Sequence, residues 1–532
     1  GLANRILVKV GVVTEGQTID IGGKITKDQV WPAGQTFRVV ENLIVKPGAT
    51  LTIEAGVTVK FAEGQSLLID GTMVAKGTED SRITFTSEGR FGSSGDWGFV
   101  RFSDESEDAK FDGGAPDGGT DIPDENNQSP DGGTDIPDEN NQGQYVSGSV
   151  MQYCVVTYGG GASGKGAIQI NDATPYIDHC EIVENKGSGI FASNPKGIRI
   201  ENSLISGNDN GIRIEGGGAT IKGNTISNNR RNDRASNWSA GLSLNGVNRE
   251  SLIEDNIISD NQMGYQDWDR NAAGIGIYDN NAEVTVKGNT VTKNTVDGRR
   301  VAGGIGVGNN RSKVTIEGNT ITENSANQDR DEVGGGICLW DTYSDVGIVD
   351  NTIQANTGTG ITMQAWDNSK NITGNSIVGN TRHGIRVNGR NTAIQTNKIQ
   401  NNGGWGIYVR NGDTTDVSEN QVESNASGGI NWENGSNGKV SGNTILGNGQ
   451  GGIRVSGGSG VIGNNEITQN GGSWAVYSNR NDWSLTGNNI YANETPYALY
   501  YEGGFGATFN ATENWWGGVD IVLLEKSIWD EI

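Results

Sequence analysis

The sequence predicts an all-β solenoid, a stack of short-stranded coils sharing one continuous core. Two periodic markers and an unusual composition predict it. The first marker is "GNTISNN" at Gly223, which returns as "GNTVTKN" at Gly288, "GNTITEN" at Gly318, "GNSIVGN" at Gly374 and "GNTILGN" at Gly442. Taking the Asn two residues before the central aliphatic, the series runs Asn202, Asn224, Asn256, Asn289, Asn319, Asn351, Asn375, Asn397, Asn420, Asn443, Asn465 and Asn488. Its intervals are 22 to 24 residues, apart from a block of four at 30 to 33. The second marker, Gly followed by Ile or Leu, keeps step from Gly189-Ile190 through Gly384-Ile385 to Gly452-Ile453. The composition, 84 glycines in 532 residues and only 33% hydrophobic, suits a chain that turns often and argues against a helical or doubly wound core.

Each period holds at least two short alternating strands, such as "GIRIE" and "ATIKGNTI", separated by Gly/Asn turns. A strand so short cannot bury its apolar face alone, so successive periods must stack. About sixteen coils spaced ~4.8 Å apart make a rod ~75 Å long. The recurring Asn then has a structural task. At the same corner of every coil its amide hydrogen-bonds to its counterparts above and below, and to turn backbone that burial would leave unpaired. A feature present in every period marks an architecture, whereas a ligand site would be local. Asn and Gly also tolerate the left-handed backbone that corners require.

Charge narrows the partners. The 64 acidic against 40 basic residues give a net charge of −24, which disfavours nucleic acid, whose phosphates need a basic face. Hard cations and basic surfaces are the expected partners. No apolar run is long enough to span a membrane, and no charged-then-apolar leader opens the chain, so Gly1 is read as a processed N-terminus. The three cysteines lack zinc-site spacing and cannot staple a chain of this size. The repeat type and the acidic, sequon-bearing surface suggest a secreted, extracellular protein.

The segment "ENLIVKPGATLTIEAGVTVKFAEGQSLLIDGTMVAKGTEDSRITFTS", Glu41 to Ser87, followed by "GDWGFVRFSD", resembles the opening coils of secreted bacterial proteins of the pectate-lyase-like superfamily. "YVSGSVMQYCVVTYGGG" and "PYIDHCEIVENKGSGIFA" continue the match, and "ATENWWGGVDIVLLEKSIWDEI" resembles the closing element. The resemblance covers about Gly22 to Ile532 and implies a right-handed parallel β-helix. It is specific for fold and weak for activity, because lyases, hydrolases, epimerases and adhesins share this scaffold. In that frame Cys154 and Cys180 fall at the ladder position ahead of Asn202 and are expected as adjacent stacked thiols, since in-register side chains fit disulfide geometry poorly. Cys338 points outward by alternation and receives no role.

Polysaccharide lyases and epimerases on this fold need an acid and a base, often with Ca²⁺, and hydrolases need facing carboxylates. The chain has only two histidines, His179 and His383, and lacks both the Asp-Asp and Gly-His-Gly pattern of the hydrolases and the Asp-Pro-His phrase of the epimerases. What alternation from the Gly-Ile marker does place outward is Arg213, Arg386, Tyr408, Arg454 and Tyr477. These side chains suit an acidic glycan; the alternative is an exposed face that merely favours strands and solubility.

Three further features stand outside the repeat. The long periods carry inserts between residues 229 and 335 that interrupt one corner and stack into a ridge, in which Trp238 and Trp268 with neighbouring Arg and Asp suit contact with a sugar or a protein. A self-supporting ridge held by its own ion pairs is the alternative. A perfect duplication, "PDGGTDIPDENNQ" at Pro116 and again at Pro130, sits in an acidic loop over 112–143. It sets Asp117, Asp121 and Asp124, then Asp131, Asp135 and Asp138, at a spacing suited to Ca²⁺ or to a solvated acidic loop. Residues 1–21 precede the helix proper (22–512) and read as a strand with Ile6, Val8 and Val10 on one face, which either caps its own coil or is donated to the next copy in a homopolymer. Residues 513–532 are expected to close the far end with a short amphipathic helix.

These observations predict a secreted, non-catalytic structural protein, a filament, pilus or cell-surface subunit joined by its N-terminal strand and Ca²⁺. The alternative is a polysaccharide-active enzyme or a glycan-binding module using the Arg/Tyr face.

Overall fold

One coil shows why the chain turns where it does. Strand Asn210–Glu215 ends at Gly216 and Gly217, strand Gly218–Lys222 ends at Gly223, and strand Thr225–Ser227 ends at Asn228. All four of those corner residues have positive φ, between 56° and 68°. The left-handed backbone reverses direction within one residue, which glycine does without strain and Asn or Asp at small cost. The coil therefore has three strands, since "ATIKGNTI" divides at its glycine. The inward Ile212, Ile214, Ile221 and Ile226 have no exposed surface.

The computed structural model describes residues 18–112, 143–161, 164–232, 238–326, 333–365, 369–480, 482–503, 508–517 and 528–530. Through them the coils stack in parallel register, Ile190 on Ile212 on Leu242 on Ile275, and onward through Ile407 and Ile430. The result is an all-β parallel solenoid without helices among the described residues. The stack running from Gln29–Trp31 to Trp483–Thr486 contains seventeen strands among the described residues, about one more than the repeat count. At the ~4.8 Å strand spacing that is roughly 77 Å of rod.

The Asn ladder exists, and there are two of them. In the first, the Asn375 amide N–H and Nδ2 both donate to Asn397 Oδ1, at 3.0 and 2.9 Å. Nδ2 also reaches the Ile348 carbonyl of the coil below at 2.8 Å and its own Thr373 carbonyl at 3.1 Å. This pattern runs from Asn224 to Asn514. Five residues later in each coil a second ladder runs from Asn185 to Asn493, with Asn402 bonded to Asn425 and to the Ile377 carbonyl in the same manner. The phrase "GNTISNN" thus carries a rung of each ladder, Asn224 and Asn229, on either side of one short strand.

The first ladder corrects one assignment. Asn202 has φ 48° and occupies the left-handed corner that Gly223 fills in the next coil, while Ser203 takes the rung. Ser203 Oγ accepts the Cys180 amide, and Cys180 and Cys154 continue the column as buried free thiols.

The first and last described segments are strands. Thr18–Ile25 pairs in parallel with Thr36–Val45, so the described sheet begins ahead of Gly22. Ile528–Asp530 pairs in parallel with Tyr497–Tyr501; most of the segment expected to form a short closing helix, residues 518–527, lies outside the described residues.

The inserts do stack. Arg230–Arg231 pairs with Gln262–Ala272, that strand with Thr295–Ala302, and that in turn with Ser325–Ala326. They enclose a small core of their own, Ala240, Met263, Ala273, Val296, Val301, Ala326 and Val333, separate from the solenoid's interior. Cys338 points out of its coil as alternation requires, yet has no exposed surface, because this layer buries it with Tyr278 and Trp340.

Replacing one rung should expose the cost of the ladder. Asn375→Leu or Asn397→Leu, and equally Asn402→Leu in the second ladder, is expected to destabilise by about 1–3 kcal/mol as buried carbonyls and amides lose their partners. Urea denaturation monitored by circular dichroism measures it; a neutral result in either ladder shows that its amides contribute nothing net.

Candidate functional site

Period-two alternation places one residue of each coil outward at the same height on one sheet. Register links these into a single row: Phe191, Arg213, Ser243, Gly276, Gly306, Cys338, Thr362, Arg386, Tyr408, Asn431, Arg454, Tyr477 and Tyr500. The small residues in its middle lie under the inserts. A Cβ on Gly276 would collide with Ser239, and one on Gly306 would come within 3.2 Å of the Ala272 side chain, both residues of the inserts. The inserts thereby divide the row into an N-terminal stretch around Arg213 and a C-terminal stretch from Arg386 to Tyr500.

The C-terminal stretch alternates cations with rings. The Arg386 guanidinium lies 5.4 Å from the Tyr408 ring centre and Arg454 lies 5.3 Å from that of Tyr477. His383 packs on Tyr408, and its Nδ1 accepts the Trp405 amide at 3.0 Å. Arg454 donates to Asn431 and approaches Glu433 to 3.8 Å. Tyr477 donates to Glu502 and stacks on Tyr500. Arg386 is 5% exposed, so it is a fixed part of the surface rather than a mobile solubilising charge.

Trp405 and Trp474 were not singled out by the sequence reading and complete this face. Their rings are 6.4 Å apart and within 11° of parallel. Each lies over a glycine of a coil between them: a Cβ on Gly428 would collide with the Trp405 ring, and one on Gly451 with that of Trp474. The two indoles therefore lie flat over the sheet beside Tyr477, 5.6 Å from Trp474. The available signal was positional, since each Trp stands immediately before its coil's core-strand marker, in "GGWGIYV" and "GGSWAVY".

Burial pushes the Tyr408 phenol up to about 12, reinforced by its hydrogen bond to Glu433. Burial and then Glu502 do the same for Tyr477, also to about 12. Both phenols are thus held protonated and act as hydrogen-bond donors, the opposite of the lowered value a tyrosine base needs.

In the N-terminal stretch Trp238 lies against two guanidiniums, Arg213 at 3.0 Å and Arg231 at 3.6 Å from the ring centre, at a cavity of about 430 Å³. Trp268 belongs to strand Gln262–Ala272; its side chain lies outside the described residues. So do Ile6, Val8 and Val10, and the whole set Asp117, Asp121, Asp124, Asp131, Asp135 and Asp138.

Residues 146–321 and 363–514 match the family model described as "Right handed beta helix region". Residues 266–428 match that of "Periplasmic copper-binding protein (NosD)". Comparison with curated proteins gives no match. Among solved structures the chain is similar to a mutant of the periplasmic alginate epimerase AlgG, at 12% identity over 88% of this chain and 78% of that one, TM-score 0.29. It is also similar to the Azotobacter vinelandii mannuronan C-5 epimerase AlgE4 A-module, at 12% identity, 93% and 91% coverage and TM-score 0.20. A third is the catalytic domain of GH87 α-1,3-glucanase, at 11% identity, 87% and 65% coverage and TM-score 0.17.

The raised phenols fix a pH dependence. Folding favours the protonated form, so this stabilisation is complete below 10.0, the ordinary tyrosine value, and is lost as pH rises through about 12. Spectrophotometric titration should show phenols ionising late, and Tyr408→Phe or Tyr477→Phe should each remove one late-titrating group. Phenols that all ionise near the ordinary value contradict the buried, Glu-paired geometry.

Proposed function

Because this chain belongs to the right-handed β-helix family, whose coils repeat an outward position at every strand spacing, we propose that it is a secreted protein that binds an acidic polysaccharide along the C-terminal stretch of its outward row. The observation that carries this reading is the Arg386–Tyr408–Asn431–Arg454–Tyr477 sequence in register beside the flat pair Trp405 and Trp474. Planar guanidiniums pair bidentately with carboxylates, and flat indoles offer an apolar face to the C–H face of a sugar ring. Successive rows are ~4.8 Å apart, so contacts repeat along an extended chain.

Charge makes the arrangement specific. On a protein of net charge −24 a polyanion is repelled except where cations are concentrated and fixed. Tyr408 and Tyr477, protonated and bonded to Glu433 and Glu502, donate hydrogen bonds and do not accept protons, which favours holding a glycan over abstracting a proton from it. The other reading, a filament or cell-surface subunit joined by Ile6, Val8 and Val10 and by Ca²⁺ on the duplicated loop, rests on residues outside the described ones, and no described contact favours it.

Isothermal titration with an oligouronate against an uncharged oligoglucoside tests the proposal. The oligouronate is expected to bind, and Trp405→Ala or Arg454→Gln to weaken it by about tenfold or more, as loss of a central aromatic or Arg anchor does. Equal binding of both glycans, or of neither, defeats it. Cleavage or epimerisation of the oligouronate, abolished by Arg386→Gln, would make the face an active site instead.

A further inference from the structure

On the other side of the inserts, the same row opens into a cavity of about 430 Å³ lined by Lys165, Asp209, Arg213, Arg230, Arg231 and Trp238. The volume is that of a pocket for one small ligand. Four of these six side chains are cations. The one carboxylate, Asp209, is committed to the backbone, accepting the Gly187 amide at 2.7 Å.

The cations are held in place. Arg213 and Arg231 lie against the Trp238 ring at 3.0 and 3.6 Å from its centre, close enough for cation–π attraction. Arg231 is 7% exposed and donates to Asn210, which is itself buried and donates through Nδ2 to the Ser239 carbonyl at 2.6 Å. Arg213 is paired with Glu215 on its own strand. Trp238 packs on the insert core, so the wall of the cavity is as rigid as the ridge behind it. Lys165 and Arg230 stand exposed at the rim. Fixed guanidiniums lose little freedom on binding, which leaves more of the ion-pair and hydrogen-bond energy as affinity.

We propose that this cavity is a second, separate site, which binds a single anionic sugar through its carboxylate or sulfate ester. That the anion is carried on a sugar rests on the glycan reading above; that the cavity binds an oxyanion rests on Lys165, Arg213, Arg230 and Arg231 alone. The inserts block the row between the two sites, so one extended glycan cannot lie flat through both. The cavity takes an end unit or a free monosaccharide.

The test is titration of the full chain with glucuronate, glucose 6-sulfate, inorganic sulfate and, as neutral control, glucose. Saturable binding of glucuronate or of the sulfate ester is expected, with the stronger of the two identifying the group recognised, and none for glucose. Lys165→Gln combined with Arg230→Gln, both at exposed positions, should weaken it by about tenfold or more, since each removes a charged hydrogen-bond donor. Arg213→Lys, which keeps the charge but not the planar contact with Trp238, should also weaken it. Unaltered affinity in the double variant, or no binding of either sugar, overturns the proposal. Binding of inorganic sulfate alone overturns the sugar part and leaves an adventitious ion only. If the polymer fails to bind anywhere while glucuronate still binds here, the extended-glycan reading falls and the cavity stands.

Discussion

From Asn185 onward the structure depends on paired amides at two corners of each coil. A three-strand coil must turn sharply at least three times, and each turn leaves backbone carbonyls pointing into a dry interior, where an unpaired one costs of order 1–3 kcal/mol. In each ladder Asn, Nδ2 reaches the carbonyl of the coil below while N–H and Nδ2 both find Oδ1 of the coil above. One side chain thus satisfies its own corner and locks the register to the neighbouring coil. Leu or Val there would fill space but orphan those groups. Two ladders five residues apart clamp the strand between them at both ends, which is how strands of three residues, such as Thr225–Ser227, stay in register through the laddered coils.

Fixed register is also what makes an outward row possible. Once Ile385 sits over Ile407 and Ile407 over Ile430, the next residue of each strand must align as well, so Arg386, Tyr408 and Asn431 are placed by the core rather than by one another. The inserts exploit the same rule in the opposite sense. Where they descend on the sheet, the row carries Ser243, Gly276 and Gly306, residues small enough to let Tyr278 and Trp340 lie against it. A single geometric repeat thereby yields a charged and aromatic surface, a sealed segment and a basic cavity in succession.

The repeat, the strand character and the outward residues Arg213, Arg386, Tyr408, Arg454 and Tyr477 were legible because they follow from period alone. What escaped depends on relations between coils that no single period displays. The second ladder stood in plain sight as the last Asn of "GNTISNN", but one marker per period was enough to count coils. Asn202 was misplaced because Asn serves both as rung and as left-handed corner, and only the hydrogen bond from Ser203 to Asn224 separates the two uses. Trp405 and Trp474 form a surface only because two intervening coils carry glycine beneath them. Lys370 alternates onto the inward face with Ile372, yet nothing local says that a lysine there is buried; its amine is held by the Ser344 carbonyl at 2.7 Å, a residue of the preceding coil.

The electrostatics of the row follow from this inheritance of position. Acidic residues dominate the chain, but along the row they appear beside the cations and rings: Glu433 against Tyr408 and Arg454, Glu502 against Tyr477, Glu215 against Arg213. Each carboxylate orients a donor two positions or one coil away, fixing the cationic and phenolic groups in the plane of the sheet at the cost of part of their charge. Screening within ~8 Å at physiological salt removes most of the repulsion from the distant acids, so what an approaching anion meets is this local order. The potential along the row is therefore set by its own nearest cations and carboxylates more than by the net charge of −24.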